Sequence, residues 1–161
     1  AILEKDNILA SISEDCLIKL WDIRQLQACT DHDNVEPYMN LRGHTCPLFT
    51  MTTCGFGDDG VIYSAGSEGI IRAWKPPSPD AVDPFGCYGG KNWCVGVWNG
   101  HEETIWDLQG CPIRQMLLSV GADGFVNVWN CQTQSQGDEE GITSSLAGKF
   151  VDDQVPDDMP T

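Results

Sequence analysis

A chain of 161 residues with 41% hydrophobic side chains has the length and composition of one ordinary domain. Its formal net charge of −15 argues against binding to nucleic-acid backbones or anionic membranes, and no apolar run is long enough to span a bilayer. The eight cysteines include no CxxC pair and there is no paired histidine at ligand spacing, which favours reduced thiols in a cytosolic protein with no metal site and no cofactor.

The first repeat unit begins almost at the start of the chain. Two short strands are predicted within residues 8–22, separated by a turn at 13–16 and ending on Trp21. Ser11 lies four residues before Asp15, and Asp15 lies six residues before Trp21. Because the unit lacks a first strand and a Gly-His, we expect the chain to be a piece of a longer protein.

The polar segment 24–36 is predicted to be a loop that joins two strands. It contains Asp-His-Asp-Asn at 31–34, a compact group of metal-binding residue types, but in such a loop a solvated connection is the better interpretation. Residues 37–41 are predicted to form an outer edge strand, where Pro37 is tolerated.

The second unit opens with Gly43-His44, and its strands are predicted at 48–54, 61–65 and 70–74. A glutamate, Glu68, stands where the other units have aspartate. Because its side chain is longer, we expect it to reach the histidine through a weaker and more hydrated contact. The equivalents of Ser11, Asp15 and Trp21 in this unit are Ser64, Glu68 and Trp74.

An insertion follows at 75–92, rich in proline and glycine. Long irregular loops are usually functional or flexible, so we expect this one to be mobile and to contribute little to the core. Its Gly89-Gly90 pair suggests a phosphate cradle, but no Lys-Ser or Lys-Thr follows, which favours a plain turn. Residues 93–98 are predicted to return as an edge strand.

The third unit is the most complete. Gly100-His101 precedes a first strand near Ile105, and further strands are predicted at 117–120 and 125–130 around an Asp-Gly turn. This Gly-His to Trp spacing is typical of one blade of a WD-repeat propeller. Beyond it only 142–151 is strand-like. Residues 132–161 carry seven acids against one lysine, which favours a solvated, partly disordered tail over an acidic docking surface.

The recurring polar residues have a structural explanation. The buried indole N–H of Trp129 needs an acceptor, which Ser119 supplies; Ser119 then donates to His101, whose other ring nitrogen donates to Asp123. A Ser-His-Asp set also suggests a hydrolase triad, but Ser119 lies in an apolar strand, whereas a nucleophile needs an exposed hydroxyl and an oxyanion hole. We call this hydrogen-bonded chain the relay, and its predicted members are Ser11, Asp15, Trp21, His44, Ser64, Glu68, Trp74, His101, Ser119, Asp123 and Trp129.

The repeat sets the fold class. Successive tryptophans at the unit ends lie 53 and 55 residues apart. The sequence therefore predicts an all-β protein made of WD-repeat β-propeller blades, incomplete, with about three of a presumed seven. The predicted divisions are a partial blade at 1–40, a blade with the insertion at 41–98, a blade at 99–151 and an acidic tail at 152–161.

Several details together resemble the striatin family of WD-repeat proteins. They span about residues 7–130, and the linker and insertion segments are more specific than the Gly-His and Trp marks, which many propellers share. The chain departs from the family at Glu68, at Cys46-Pro47 and in the tail from Cys131. The segments that carry the resemblance are Ala-Ser-Ile-Ser-Glu-Asp at 10–15 before Trp21, Asn-Val-Glu-Pro-Tyr at 34–38 leading to Leu-Arg-Gly-His at 41–44, Val-Asp-Pro-Phe at 82–85, and Gly100-His101 to Trp129-Asn130.

The resemblance implies a non-catalytic scaffold. Striatins are regulatory subunits of protein phosphatase 2A that assemble a phosphatase and kinase complex through a coiled coil, a calmodulin-binding helix and the propeller. We find neither of the first two segments in this sequence. The expected partners are phosphatase 2A subunits, kinases and adaptor proteins, with no nucleic acid, no direct membrane insertion and no small-molecule substrate. The expected location is the cytoplasm, with membrane association through partners.

Two alternatives stand beside the scaffold. One is another WD-repeat adaptor, such as a substrate receptor of a ubiquitin ligase. The other is an enzyme that uses Cys87 or Cys94 of the insertion region as nucleophile and His101 as base, which is disfavoured because His101 is committed to the relay.

Overall fold

Three four-stranded antiparallel sheets follow one another along the chain, each an up-and-down meander. The computed structural model describes residues 2–3, 7–29, 34–54, 60–81, 93–134 and 141–151. The prediction of an all-β protein made of propeller blades is confirmed. The sheets comprise, in chain order, β1 (Ile2–Leu3), β2 (Ile8–Ile12), β3 (Ile18–Asp22) and β4 (Met39–Leu41); β5 (Leu48–Cys54), β6 (Val61–Gly66), β7 (Ile70–Trp74) and β8 (Cys94–Asn99); and β9 (Ile105–Cys111), β10 (Met116–Gly121), β11 (Phe125–Gln134) and β12 (Gly141–Val151).

The described residues also include a short helix, α1 (Ile23–Ala28), and two 3-10 turns at Pro79–Ala81 and Pro112–Arg114. The predicted unit boundaries after residues 40 and 98 stay a prediction. The solvated tail predicted for 132–161 is wrong for 141–151, which form β12 and pair with β11, as the strand-like pattern at 142–151 indicated. Residues 152–161 lie outside the described residues. No helix among the described residues is long and apolar enough to cross a bilayer.

Two hydrophobic cores form between neighbouring sheets. The first and second sheets enclose residues such as Ile8, Leu20 and Ile62, together with Trp74, which is 1% exposed. The second and third sheets enclose Tyr63, Leu117 and their neighbours, together with Trp129. Each of these tryptophans therefore faces the preceding sheet. Trp21 of the first sheet is only half-buried, since no described sheet covers that face.

The prediction that the first unit lacks its first strand is wrong. The two-residue strand β1 pairs antiparallel with β2, so that Ile2 lies opposite Leu9 and Leu3 opposite Ile8. A strand of two residues carries too little alternation to be detected from sequence. It forms because the exposed edge of β2 offers backbone partners.

The predicted loop at 24–36 begins with a helix instead. Asp22 caps it, accepting a hydrogen bond at 2.9 Å from the backbone N–H of Arg24. The residues that follow, Arg-Gln-Leu-Gln-Ala, have high intrinsic helix propensity, which a polar-loop interpretation overlooked.

The first part of the insertion is anchored, contrary to the expectation that all of 75–92 is mobile. The Arg24 guanidinium makes two hydrogen bonds of 2.9 and 3.0 Å to Asp80, and the Tyr38 hydroxyl donates to the Pro77 carbonyl at 3.2 Å. The Lys75 N–H donates to the Trp93 carbonyl, and Trp93 packs on the first core. Residues 75–81 are thus held on the first blade, while residues 82–92 lie outside the described residues.

Candidate functional site

The third unit brings its four predicted relay residues together. Trp129 on β11 donates from Nε1 to Ser119 Oγ on β10 at 2.9 Å, and Ser119 Oγ lies 2.8 Å from His101 Nε2. His101 Nδ1 lies 2.8 Å from Asp123 Oδ1, in the turn between β10 and β11. Ser119 and the side chain of His101 are completely buried. A Cβ on Gly121 would come within 2.3 Å of His101 Nδ1, so only glycine allows this approach.

The contacts fit one arrangement of protons along the relay. If His101 carries its proton on Nδ1, it donates to Asp123, and Nε2 accepts from the Ser119 hydroxyl, whose oxygen accepts from the indole. Burial raises the pKa of Asp123, but hydrogen bonds from His101 and from the backbone N–H groups of Phe125 and Glu102 outweigh this, so its pKa lies below the usual value. The carboxylate is therefore charged at neutral pH, and the chain of donors ends on it.

The second unit makes the same contacts. Trp74 Nε1 donates to Ser64 Oγ at 2.8 Å, Ser64 Oγ lies 2.7 Å from His44 Nε2, and His44 Nδ1 contacts Glu68 Oε1. Thr45 adds a hydroxyl bond of 2.9 Å to the other oxygen of Glu68. The extra methylene of Glu68 is thus accommodated with a partner for each carboxylate oxygen.

The expectation of a more hydrated contact at Glu68 is wrong. Its side chain is 9% exposed, against 8% for Asp123. Burial lowers the pKa of His44 more than Glu68 raises it, and the pKa of Glu68 lies below its usual value because hydrogen bonds from His44 and Thr45 outweigh the effect of burial. A neutral imidazole therefore donates to a charged glutamate.

The first unit holds only part of the relay. Trp21 Nε1 donates to Ser11 Oγ at 2.9 Å, but no described histidine continues the chain. Asp15 is exposed, and its carboxylate pairs with Lys19 at 3.0 Å and accepts from the Leu17 N–H at 3.1 Å. The hydrogen bond from Lys19 is the main cause that lowers the pKa of Asp15.

The structure adds one residue per unit that the sequence interpretation missed. In each sheet the relay serine lies directly opposite a polar residue of the third strand, and that residue stands four positions after the relay carboxylate. In the third unit this residue, Asn127, donates to the Gly100 carbonyl at 2.6 Å and lies 3.4 Å from His101 Nε2. The repeated spacing of four would have revealed the set, which is Lys19, Arg72 and Asn127.

The arrangement of the described residues does not support the catalytic alternatives. Ser64 and Ser119 are completely buried, and both ring nitrogens of His101 have relay partners. Cys94 is half-buried in β8 with its thiol directed to the Gly96 carbonyl at 3.4 Å, while Cys87 lies outside the described residues.

The metal alternative has no geometric support either. Residues 31–33 lie outside the described residues. Among those that are described, no three His, Cys, Asp or Glu side chains are grouped to hold an ion.

Comparisons with known proteins agree with this geometry. The family model "WD domain, G-beta repeat" matches residues 92–130. The chain is 35% identical over 140 residues to "Striatin homolog" of Dictyostelium discoideum, which covers 80% of this chain and 16% of that protein. It is 32% identical over 148 residues to "Striatin-3" of Bos taurus, covering 86% of this chain and 18% of that protein.

A third relative extends the match. "Striatin-4" of Mus musculus is 31% identical over 160 residues, covering 91% of this chain and 20% of that protein. The chain thus spans a fifth or less of the length of these curated relatives. With three blade-like sheets and the relay in place, these matches show that the chain belongs to the striatin family of WD-repeat proteins.

Proposed function

We propose that this chain supplies propeller blades to a non-catalytic scaffold that assembles a protein phosphatase 2A and kinase signalling complex. The observation that carries the proposal is the closure of the relays in the second and third units: Ser64 and Ser119 are completely buried, and the side chains of His44 and His101 are at most 1% exposed. Groups that are buried and hydrogen-bonded to one another stabilise blades and leave no reactive atom at the surface.

Family membership supports the choice of partners. The contacts with phosphatase and calmodulin belong, by the resemblance, to a coiled coil and a helix that we do not find in this sequence, so we assign none of them to its residues. The blades would instead recruit kinases and adaptor proteins, in the cytoplasm and at membranes that those partners occupy.

Affinity purification of the tagged full-length protein, with quantitative mass spectrometry, tests the proposal. We expect phosphatase 2A subunits and at least one kinase to co-purify in amounts comparable to the tagged protein. Cullin and ring-finger subunits in their place would instead support the ubiquitin-ligase adaptor. A variant that lacks the propeller should retain the phosphatase and lose the kinase.

The enzyme alternative needs a separate measurement. Iodoacetamide at neutral pH should react slowly and at several cysteines of the native full-length protein. A fast reaction confined to Cys87 or Cys94 would contradict the non-catalytic assignment.

A further inference from the structure

Two exposed aromatic rings stack on each other where the second and third sheets meet. Phe49 on β5 is 43% exposed and Trp106 on β9 is 58% exposed, and their ring centroids lie 5.5 Å apart at an interplanar angle of 22°. Neither ring belongs to either of the two hydrophobic cores. We call these two residues the aromatic pair.

The repeat places both rings at the same position. Phe49 follows the relay histidine His44 by five residues, and Trp106 follows His101 by five. Phe49 lies at a bulge where β5 shifts its register against β6, and Trp106 lies at a bulge where β9 shifts its register against β10. Each bulge turns the aromatic side chain outward. Bulges re-aim side chains and commonly occur next to binding sites, so the outward position is a property of the fold.

A hydroxyl bridge fixes the two strands beneath the aromatic pair. Thr50 donates to Asp107 Oδ1 at 3.0 Å and accepts from the Leu108 N–H at 3.0 Å. Thr52 accepts from the Gly110 N–H at 3.1 Å. The bond between Thr50 and Asp107 joins the residues that follow Phe49 and Trp106, and the other two bonds join the same two strands further along. The strands that carry the two stacked rings are therefore fixed relative to each other, which reduces the entropy cost of binding.

The surroundings of the aromatic pair are acidic. Asp107 is exposed beside Trp106, and Glu102 and Glu103 are exposed in the loop before β9. The Oδ1 atom of Asp107 accepts hydrogen bonds from the Thr50 hydroxyl and from the Leu108 N–H, whereas Oδ2 accepts none from the described residues. The segment 100–111, which forms β9 and the loop before it, contains no lysine or arginine. In the corresponding segment 42–54 the one lysine or arginine is Arg42, at the start of the loop before β5.

We propose that Phe49, Trp106 and Asp107 form a docking site for a basic segment of a partner protein. An arginine or lysine side chain of that segment lies against the ring faces and pairs with the Asp107 carboxylate. Aromatic faces attract cations, and a carboxylate beside them adds charge complementarity. An acidic segment would be repelled by the surrounding acids, and a purely apolar segment would cover the Asp107 carboxylate without giving it a partner. This inference goes beyond the scaffold proposal and requires no phosphatase.

Fluorescence anisotropy on the full-length protein that contains this chain tests the site. The probe is a labelled peptide of four Arg-Gly repeats, and the control peptide has glutamate in place of arginine. We expect only the arginine peptide to bind, with an affinity that falls as salt rises. Trp106→Ala and Phe49→Ala should each weaken binding about tenfold, Asp107→Asn about fivefold, and Trp106→Phe should retain most of it.

Ile113→Ala is the matched control, since Ile113 is 82% exposed but lies away from the aromatic pair on the turn after β9. Its peptide affinity should equal that of the unmodified protein. The variants of the exposed residues Phe49, Trp106 and Ile113 should keep the same melting temperature, and Asp107→Asn should keep it because the asparagine Oδ1 still accepts the hydrogen bond from Thr50.

Absent binding, equal binding of the two peptides, or unchanged affinity in Trp106→Ala would overturn the proposal. So would a Trp106→Ala variant that changes only the oligomeric state, since a second copy would then occupy the rings. The phosphatase purification can succeed or fail independently of all these outcomes.

Discussion

At the scale of single residues, His101 bridges the Ser119 hydroxyl and the Asp123 carboxylate through its two ring nitrogens. Replacing His101 with alanine in the full-length protein should leave Asp123 and the Ser119 hydroxyl without their common partner. An unsatisfied buried polar group costs about 1–3 kcal/mol, and a charged one costs more. Urea denaturation should therefore show a lower free energy of unfolding.

The second histidine is the comparison for that measurement. His44→Ala should cost a similar amount, because Glu68 is as buried as Asp123 and would lose the same kind of partner. If both variants prove harmless to stability while one abolishes an activity, the histidines are chemical groups and the structural role of the relay is refuted.

The relay also predicts the direction of pH dependence. The folded-state pKa values of His44, Glu68 and Asp123 are all lowered, so their contributions to stability are complete above the unfolded pKa values and are lost as pH falls. The free energy of unfolding should begin to fall near the ordinary histidine value of 6.5 and fall further through the carboxyl range. His44→Gln should remove the step near the histidine value and also reduce the step in the carboxyl range, because Glu68 loses the hydrogen bond from His44 that lowers its pKa. A decline that starts below pH 5 in both proteins would contradict this assignment.

At the scale of elements, the Arg24–Asp80 contact connects α1 to the insertion. Arg24→Ala should increase hydrogen exchange in 75–81, where the Lys75 and Ala81 N–H groups are bonded to backbone carbonyls. Since Arg24 and Asp80 are 45% and 74% exposed, the increase should be modest, about two- to fivefold. Exchange in β10 should not change, and hydrogen exchange with mass spectrometry would report both regions. Equal increases in both would show global destabilisation instead.

The sequence predicted those elements whose pattern is local. Strands such as β5 and β7 alternate or carry β-branched residues, and the repeat spacing of serine, acid and tryptophan is enough to identify the relay residues. The sequence did not predict β1, because the pairing of this strand depends on the free edge of β2. It did not predict α1 either, because the polar residues that form this helix are also typical of loops. The aromatic pair was also missed, since a bulge that turns Phe49 and Trp106 outward has no signal in hydrophobic periodicity.

At the scale of the whole molecule, the third sheet has apolar residues on both faces. Leu117 faces the second core, whereas Leu118 and Val120 on the opposite face of β10 are 37% and 41% exposed. A blade cannot bury both faces alone, so we expect the chain on its own to be of low stability and to self-associate. A sharp cooperative thermal transition together with a monomeric elution profile would contradict this.

Lysine substitutions on this exposed face of β10 should have opposite effects in the chain on its own and in the full-length protein. Leu118→Lys combined with Val120→Lys should reduce association of the chain on its own, because the charges oppose contact between exposed apolar faces. In the full-length protein the same change should lower the melting temperature by several degrees, because a following blade would bury both lysines.

Val97→Lys is the control. Val97 is 50% exposed on β8, the outer strand of the second sheet, so this substitution should change neither the association of the chain on its own nor the melting temperature of the full-length protein. Size-exclusion chromatography and differential scanning calorimetry measure the two effects. If the double variant leaves the full-length protein as stable as before, no blade packs on β10 and the ring continues elsewhere.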